Sequence, residues 1–453
     1  MTAAHLLTLA APTPGGLGEL ARATLDLLTA LGADSPEPLC RSRRAGVTGD
    51  AVHRIAVTGH SAAALADALS AHLAGDEHVR GVAAARAVPG GPRVAFLCSG
   101  QGAQFAGMGQ DLYAAEPVYR EAFDRCATAA APHVEEPLAR YLAPDAGPRI
   151  HRLPHAALLT FAVGCGLAAL WRARGVEPAA VLGFSSGEYL AAHLAGVLTA
   201  EDAVALLATE TSLAARVTDG AMAVVGADEE TVRELLAGAA DGTGAHGAAE
   251  GAPGGTPGGA LGGTPGGAPG RAAPFPRLDV AALLSPTDVS VSGSAAELGG
   301  FTARLAARGV RNSPLPVPQG LHSPLQEPSL AALRAAAAGP EFAEPRLAMV
   351  SSVTGKRVGR DVLAAPDHWS AHMRGPVRFL DGVRALDALG VTAFVEVGPG
   401  KALTGLGPRC LPADADRLWL ASIGRSTDGR AAMLRGLGRL FTAGAPVRLT
   451  GPA

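Results

Sequence analysis

The chain has 453 residues, of which 48% are apolar, and carries a formal net charge of −3 at pH 7. This apolar content suffices for one large domain with attachments or for two to three domains. The near-balanced charge, with no basic stretch along the chain, argues against nucleic acid as a partner. The five cysteines are scattered and form no Cys-x-x-Cys pair, so neither a disulfide framework nor a zinc site is expected.

The N-terminus and the hydropathy pattern predict a cytoplasmic protein. The first residues, "MTAAHLLTLAAPTPGG", lack the basic region and the long apolar core of a signal peptide. No run of 18 apolar residues is free of polar interruption, so neither a membrane span nor a membrane partner is predicted. Scattered thiols fit a reducing compartment.

Residues 1–92 are predicted to form a small α/β unit that carries no chemistry of its own. Strands are predicted at "HLLTLAA" and "HRIAVTG", and a helix follows each of them. Thr13 precedes a proline at the start of the first helix, and Ser61 precedes the second, both as N-caps. Gly75 is predicted to close the second helix.

Beyond residue 92 the pattern predicts an α/β fold with an inserted unit. Strands alternate with helices over residues 93–218 and 318–407, which is typical of a parallel sheet. Residues 219–317 have the order βαββαβ, which predicts a ferredoxin-like small subdomain. Within it, residues 242–274 are rich in Gly and Pro and are predicted to be disordered. Residues 408–453 are predicted to hold one helix and an extended end.

The stretch "VLGFSSGEYLAA" predicts a nucleophile elbow with Ser185 at its apex, because an apolar strand precedes Gly-x-Ser-x-Gly and good helix formers follow it. Earlier, "SGQGAQ" offers backbone N–H groups at a second strand-to-helix turn. Later, "LHSP" places His322 at a helix start. A serine, a histidine base and backbone donors form a set for acyl transfer. No third acid is evident, and a backbone carbonyl could orient the histidine instead.

Five motifs, in this order, carry a resemblance to a known family: "VAFLCSGQGAQFAGMGQDLY", "GFSSGEYLAAHLAGVLTAEDAV", "GLHSPLQEP", "SSVTGKRV" and "FVEVGPGKALTGL". They resemble the acyltransferase domains of modular polyketide synthases and the related malonyl-CoA:acyl carrier protein transacylases. The resemblance extends to a hydrolase-like large subdomain. Residues 1–92 are similar to the linker between ketosynthase and acyltransferase, and residues 408–453 are similar to the post-acyltransferase linker.

The resemblance implies a ping-pong reaction. Ser185 would take an acyl group from a thioester of CoA or of an acyl carrier protein, with His322 as base. It would then pass this group to the phosphopantetheine thiol of an acyl carrier protein. The backbone N–H groups of Gln101 and Ser186 would form the oxyanion hole. No cofactor is implied beyond the thioester substrate.

The domains that the resemblance covers suggest how the chain would act in biosynthesis. It carries both flanking linkers but no ketosynthase and no carrier domain. We therefore expect an enzyme that acts in trans in polyketide and antibiotic biosynthesis, with polyketide synthase modules as further partners.

Two departures from the family pattern bear on the acyl group. Phe184 stands where extender-unit members have a histidine. Glu210, 25 residues after Ser185, stands where they have an arginine that pairs with the free carboxylate of malonyl. A malonyl carboxylate facing Glu210 would meet a like charge. We therefore expect a substrate that is not of the malonyl type, such as an aminoacyl or other cationic starter, or a monocarboxylic starter.

Other positions of the predicted acyl pocket also depart from the family. Gln319 and Gly320 begin "QGLH", which matches neither His-Ala-Phe-His of malonyl enzymes nor Tyr-Ala-Ser-His of methylmalonyl enzymes. His155 stands where a pocket-wall glutamine is usual. Ser352 stands where an asparagine is usual, a change that matters less if only the backbone carbonyl is used. Three alternatives stay open: a hydrolase that clears acyl carrier proteins, an ordinary malonyl transferase, and an inactive scaffold subunit.

Overall fold

Three β-sheets organise the chain in a computed structural model, which describes residues 4–45, 50–238, 275–425 and 428–448. The first sheet is antiparallel, in the order β1-β2-β3. The elements of this part are β1 His5–Ala11, α1 Pro14–Leu31, α2 Glu37–Ala45, β2 His53–Gly59, α3 Ala62–Leu73 and β3 Val82–Arg86. Thr13 and Ser61 cap α1 and α3 as predicted, each accepting a backbone N–H bond of 3.1 Å.

The next part of the chain begins the large α/β layer. Its elements are β4 Val94–Cys98, α4 Gln110–Ala115, α5 Pro117–Ala130, α6 His155–Ala173, β5 Ala180–Gly183, α7 Gly187–Leu194 and α8 Ala200–Ala214, with 3₁₀ helices at Ala131–His133, Leu138–Leu142 and Pro148–His151. Among the described helices, α6 has the length and apolar composition of a membrane span, but 83% of that window is buried inside the protein. It is a core helix, with 15 of its 19 residues buried.

An antiparallel four-stranded sheet with two helices follows. Its elements are β6 Gly220–Val225, α9 Glu229–Ala237, β7 Leu278–Ser285, β8 Asp288–Ser294, α10 Ala295–Ala307 and β9 Asn312–Leu315. The strand order β7-β8-β6-β9 is that of a ferredoxin-like unit, as the sequence predicts. The segment 242–274, predicted to be disordered, lies outside the described residues.

The chain then returns to the large layer. Its elements are a 3₁₀ helix Pro324–Ser329, α11 Leu330–Ala337, β10 Ala348–Val350, β11 Arg357–Val358, α12 Arg360–Leu363, α13 Pro366–Arg374, α14 Phe379–Ala388, β12 Ala393–Val397, α15 Ala402–Leu406, a 3₁₀ helix Gly407–Cys410, β13 Leu418–Ala421 and α16 Gly429–Ala443.

The large sheet has the order β11-β10-β5-β4-β12-β13, and β11 is its antiparallel edge strand. The other five strands run parallel. Every residue of β4, β5 and β12 is buried, as expected for parallel strands covered by helices on both faces. The predicted α/β fold class is therefore confirmed, and the central strand β5 leads directly into the predicted elbow.

Two of the strands, β3 and β13, lie where the sequence analysis predicted no strand. β13 lies in the tail, where we predicted one helix and an extended end, and it pairs in parallel with β12. The ring of Trp419 on β13 stacks on Phe394 at 4.1 Å between centroids. In the first sheet, β3 pairs with β2 although three of its five residues are alanine. The predicted domain boundaries stay predictions.

Candidate active site

Ser185 lies between the end of β5 and the start of α7, with φ at +53°. Such a value is rare for a residue with a side chain and is typical of a nucleophile elbow. The flanking glycines make the turn possible. A Cβ atom on Gly183 would lie 2.3 Å from the Glu188 nitrogen, and one on Gly187 would lie 2.1 Å from the Cys98 oxygen. Glycine is required at both positions because the backbone segments approach too closely for a side chain.

His322 meets Ser185 as the sequence predicts, with 2.7 Å between its Nε2 atom and Ser185 Oγ. Its Nδ1 atom lies 3.1 Å from the carbonyl oxygen of His372 and 3.0 Å from that of Gly375. Because carbonyls only accept, Nδ1 carries the proton and Nε2 is free to accept one from the serine. Backbone carbonyls therefore orient the histidine. The carbonyl of Ser352 instead accepts the Arg378 N–H at 2.7 Å.

The predicted oxyanion residues Gln101 and Ser186 lie beside each other. The Gln101 N–H donates to Ser186 Oγ at 2.8 Å, so a hydroxyl oxygen sits where this donor would meet a substrate oxygen. The loop of Gln101 is fixed by the buried Glu396, which accepts the Ser99 hydroxyl at 3.0 Å and the Thr404 N–H at 2.9 Å. Sequence reasoning missed Glu396, although the charge inside the apolar strand "FVEV" was a usable signal.

Glu210 is buried close to the elbow, but its partners lie within the protein. Its Oε2 atom accepts the Tyr189 hydroxyl at 2.7 Å and the Nδ1–H of His372 at 2.9 Å. The Nε2–H of His372 donates to the Ser185 carbonyl oxygen at 2.8 Å. Glu210 therefore has a partner of opposite charge within the protein, whereas the sequence analysis expected that partner on the substrate, and its place in the acyl pocket stays a prediction. Sequence reasoning missed His372, Gly375 and Tyr189.

The two charges of this pair stabilise each other. Burial lowers the pKa of His372, but Glu210, Glu188 and the Ser185 carbonyl together outweigh burial and raise the pKa to about 9. Burial raises the pKa of Glu210, and the positive His372 and the Tyr189 hydrogen bond then bring it below its ordinary value. Both groups are therefore charged at neutral pH. For His322, burial and the charge of His372 lower the pKa to about 4.

The other predicted pocket residues are placed as follows. Phe184 is half-buried beside Ser185, and its ring packs edge-to-face on Phe379 at 5.6 Å between centroids. Gln319 and Gly320 lie in the loop that leads to His322. Their carbonyl oxygens accept the Gln326 side-chain amide at 2.8 and 3.2 Å. Phe184 thus gives the nucleophile an apolar neighbour, while Gln319 and Gly320 shape the loop of the base.

His155 begins α6, and its ring packs edge-to-face on Tyr141 at 5.5 Å between centroids. Both rings line a cavity of about 500 Å³ together with Arg149 and Arg152. Burial lowers the pKa of His155. The contacts that the structure gives it, within the described residues, do not include the elbow. Its place in the acyl pocket therefore stays a prediction.

The low pKa of His322 gives a pH prediction for the candidate nucleophile. The neutral ring is the form that can accept the serine proton, and it prevails at all pH values well above about 4. Labelling of Ser185 by a fluorophosphonate is therefore expected to be nearly constant from pH 8 to pH 5. A histidine with an ordinary pKa would slow labelling by about 30-fold at pH 5. Rates measured on enzyme shown to be folded at each pH would test this, and an acid limb near pH 6.5 would contradict it.

Comparison with known proteins gives a consistent picture. The family model described as the acyl transferase domain matches residues 95–245 and 256–446. Polyketide synthase GfsB of Streptomyces halstedii is 39% identical over 325 residues, which are 71% of this chain and 5% of that protein. The chain thus spans a small part of the length of the curated relatives that it matches.

Solved structures agree with the sequence relatives. The acyltransferase domain from module 8 of the salinomycin polyketide synthase superposes with a TM-score of 0.83 at 28% identity, over 98% of this chain and 97% of that one. A loading acyltransferase from the avermectin modular polyketide synthase superposes with a TM-score of 0.64 at 29% identity, over 77% and 99%.

Proposed function

Because the chain belongs to the acyltransferase domains of polyketide synthases, we propose that it moves an acyl group from a thioester to an acyl carrier protein through acyl-Ser185. The observation that carries this proposal is the 2.7 Å contact between Ser185 Oγ and His322 Nε2 at the elbow. An isolated serine is a weak nucleophile, and a neutral histidine at this distance activates it.

The proposed reaction has two half-reactions with the same proton carrier. Ser185 Oγ attacks the thioester carbonyl carbon while His322 Nε2 accepts the hydroxyl proton. The C–S bond then breaks, and the leaving sulfur takes the proton from His322. In the second half, the phosphopantetheine thiol gives its proton to His322 while its sulfur attacks the ester carbonyl carbon. The C–O bond to Ser185 then breaks, and Ser185 Oγ takes the proton back from His322. The thioester supplies everything that this chemistry requires, so no cofactor is proposed.

The acyl group that we propose is uncharged and monocarboxylic. Glu210 is compensated by His372, so this buried pair offers neither a cation for a malonyl carboxylate nor a free carboxylate for an aminoacyl group. A bound acyl chain would also meet the apolar ring of Phe184. Action in trans, in the cytoplasm, is part of the proposal.

The test is intact-protein mass spectrometry after incubation with propionyl-, isobutyryl-, β-alanyl-, malonyl- and methylmalonyl-CoA. Propionyl and isobutyryl adducts are expected to form at least about 10-fold faster than the charged ones, because burying one unpaired charge costs more than the 1.4 kcal/mol that this factor represents. A preference for malonyl would refute the neutral pocket, and a preference for β-alanyl would mean that Glu210 faces the acyl chain.

A second stage of the same experiment adds a separately purified acyl carrier protein with its phosphopantetheine arm. Acylated carrier protein is the expected product. Free acid that forms faster than acylated carrier protein would instead identify a thioester hydrolase. Because the adduct is measured before the carrier is added, the acyl group and the acceptor are tested independently.

A further inference from the structure

His372, on α13, connects three parts of the candidate active site although its side chain is only 1% exposed. Its Nε2 atom lies 2.8 Å from the carbonyl oxygen of Ser185, and its Nδ1 atom lies 2.9 Å from Glu210 Oε2. Its own backbone carbonyl accepts the Nδ1–H of His322. One residue therefore contacts the backbone of the candidate nucleophile, the ring of the candidate base and a buried carboxylate.

Both ring nitrogens of His372 face oxygen atoms that can only accept a hydrogen bond. The carbonyl of Ser185 has no proton to donate, and the carboxylate of Glu210 is ionised. A neutral imidazole has one N–H, so both contacts form only when His372 is protonated. Glu210 supplies the counter-charge and accepts a hydrogen bond from the Tyr189 hydroxyl. The ring of Tyr189 stacks on Trp369 at 4.6 Å between centroids.

The carbonyl that His372 holds belongs to the peptide group between Ser185 and Ser186. In a trans peptide the C=O and the N–H point in opposite directions, so fixing the oxygen also fixes the direction of the Ser186 N–H. A charged donor on the oxygen polarises the peptide group and makes that N–H a stronger donor. The Ser186 N–H is one of the two groups assigned to the oxyanion hole.

The elbow needs such a constraint because Ser185 has φ at +53°. A non-glycine residue in this region is strained and persists only where the surroundings determine its conformation. The Glu188 N–H also donates to the Ser185 carbonyl, at 2.8 Å, within the turn itself. His372 adds the one charged donor that reaches this carbonyl from another helix in the described structure.

We propose that protonated His372 is a positioning residue for acyl transfer. It fixes the Ser185–Ser186 peptide group, so that Ser185 Oγ faces His322 and the Ser186 N–H faces the oxyanion. The proposal rests on acyl transfer through Ser185, but it does not depend on which acyl group is carried.

Two substitutions separate the two hydrogen bonds of His372. At position 372, the side-chain amide nitrogen of a glutamine would take the place of the histidine Nε2 atom. The amide nitrogen of an asparagine would take the place of the histidine Nδ1 atom. His372→Gln therefore keeps a donor for Ser185, whereas His372→Asn keeps one for Glu210. Acyl-enzyme formation from propionyl-CoA and fluorophosphonate labelling are both measured. We expect His372→Asn to slow both by roughly 100-fold, as for the loss of an oxyanion donor. His372→Gln should stay within about 5-fold of wild type.

A merely structural role would give a different result. In that case the rates of both variants would follow only their loss of stability, and keeping the donor toward Ser185 would make no difference. The proposal would then be wrong. His368→Gln is the matched control, because His368 lies one turn earlier on α13, is also buried, and lies 3.5 Å from Glu188. It is expected to lower the unfolding temperature with less than about 3-fold change in either rate. A slowing equal to that of His372→Asn would also overturn the proposal.

A second pair of variants covers the case in which a single variant fails to fold. Glu210→Gln removes the buried charge, and it is combined with His372→Gln or with His372→Met. The first combination presents an N–H toward the Ser185 carbonyl, and the second has similar bulk without a donor. Labelling is expected to be about 30- to 100-fold faster in the first. Equal rates would overturn the proposal, whereas loss of propionyl transfer with normal labelling would count against the proposed acyl group alone.

Discussion

Replacing Ser185 with alanine is expected to abolish the covalent acyl-enzyme and to lower transfer to a carrier protein by at least about 10⁴-fold. Removal of a nucleophile in a serine–histidine pair eliminates the covalent route, and only binding and the oxyanion donors remain. Intact-protein mass spectrometry with propionyl-CoA would show no adduct. The protein should remain folded, because the positive φ of Ser185 is imposed by its surroundings and alanine tolerates it no worse.

The control for this experiment is Ser70→Ala, an exposed serine on α3. It is expected to form the adduct at the wild-type rate. The informative contrary result is an adduct that persists in the Ser185→Ala variant. Because Ser186 Oγ lies 2.8 Å from the Gln101 nitrogen, peptide mapping should then examine Ser186 first. An adduct mapped there would show that the nucleophile had been misassigned by one residue.

Reversing the charge of Glu210 to arginine is expected to destabilise the protein by about 3–5 kcal/mol. Glu210 is 7% exposed and forms a buried ion pair with His372, and breaking such a pair leaves an uncompensated charge. Arginine would add a second cation beside the first. Urea denaturation of the variant and the wild type measures the difference. The single variant should not accept malonyl-CoA, because its binding site would be distorted.

Two further variants sharpen this prediction. Ala205→Arg, at an exposed position of the same helix, should change stability by less than about 0.5 kcal/mol. Glu210→Arg combined with His372→Gln removes the competing cation, so it should regain part of the lost stability and begin to form a malonyl adduct. If the single variant were as stable as the wild type and accepted malonyl, Glu210 would face the acyl pocket and the buried pair would be wrong.

The sequence alone determined the fold class and the geometry of the elbow. Alternating strand and helix patterns predicted the parallel sheet, since local periodicity records which face of each element is buried. The elbow could also be predicted from the sequence. Glycine is required at positions 183 and 187 because the backbone there lies too close to Glu188 and to the adjacent strand for a side chain. His322 was found through its local motif and through the family resemblance.

Only the tertiary structure decided what surrounds these residues. β3 and β13 have weak or very short strand patterns, and pairing with neighbours makes them strands. Glu210 seemed to be an isolated reversed charge because its partner, His372, is 162 residues away in the chain. Sequence patterns reveal how a residue relates to its near neighbours, whereas the state of a buried charge depends on which distant groups the fold brings within hydrogen-bond distance. The charged partner of Glu210 could therefore not be inferred before the fold was known.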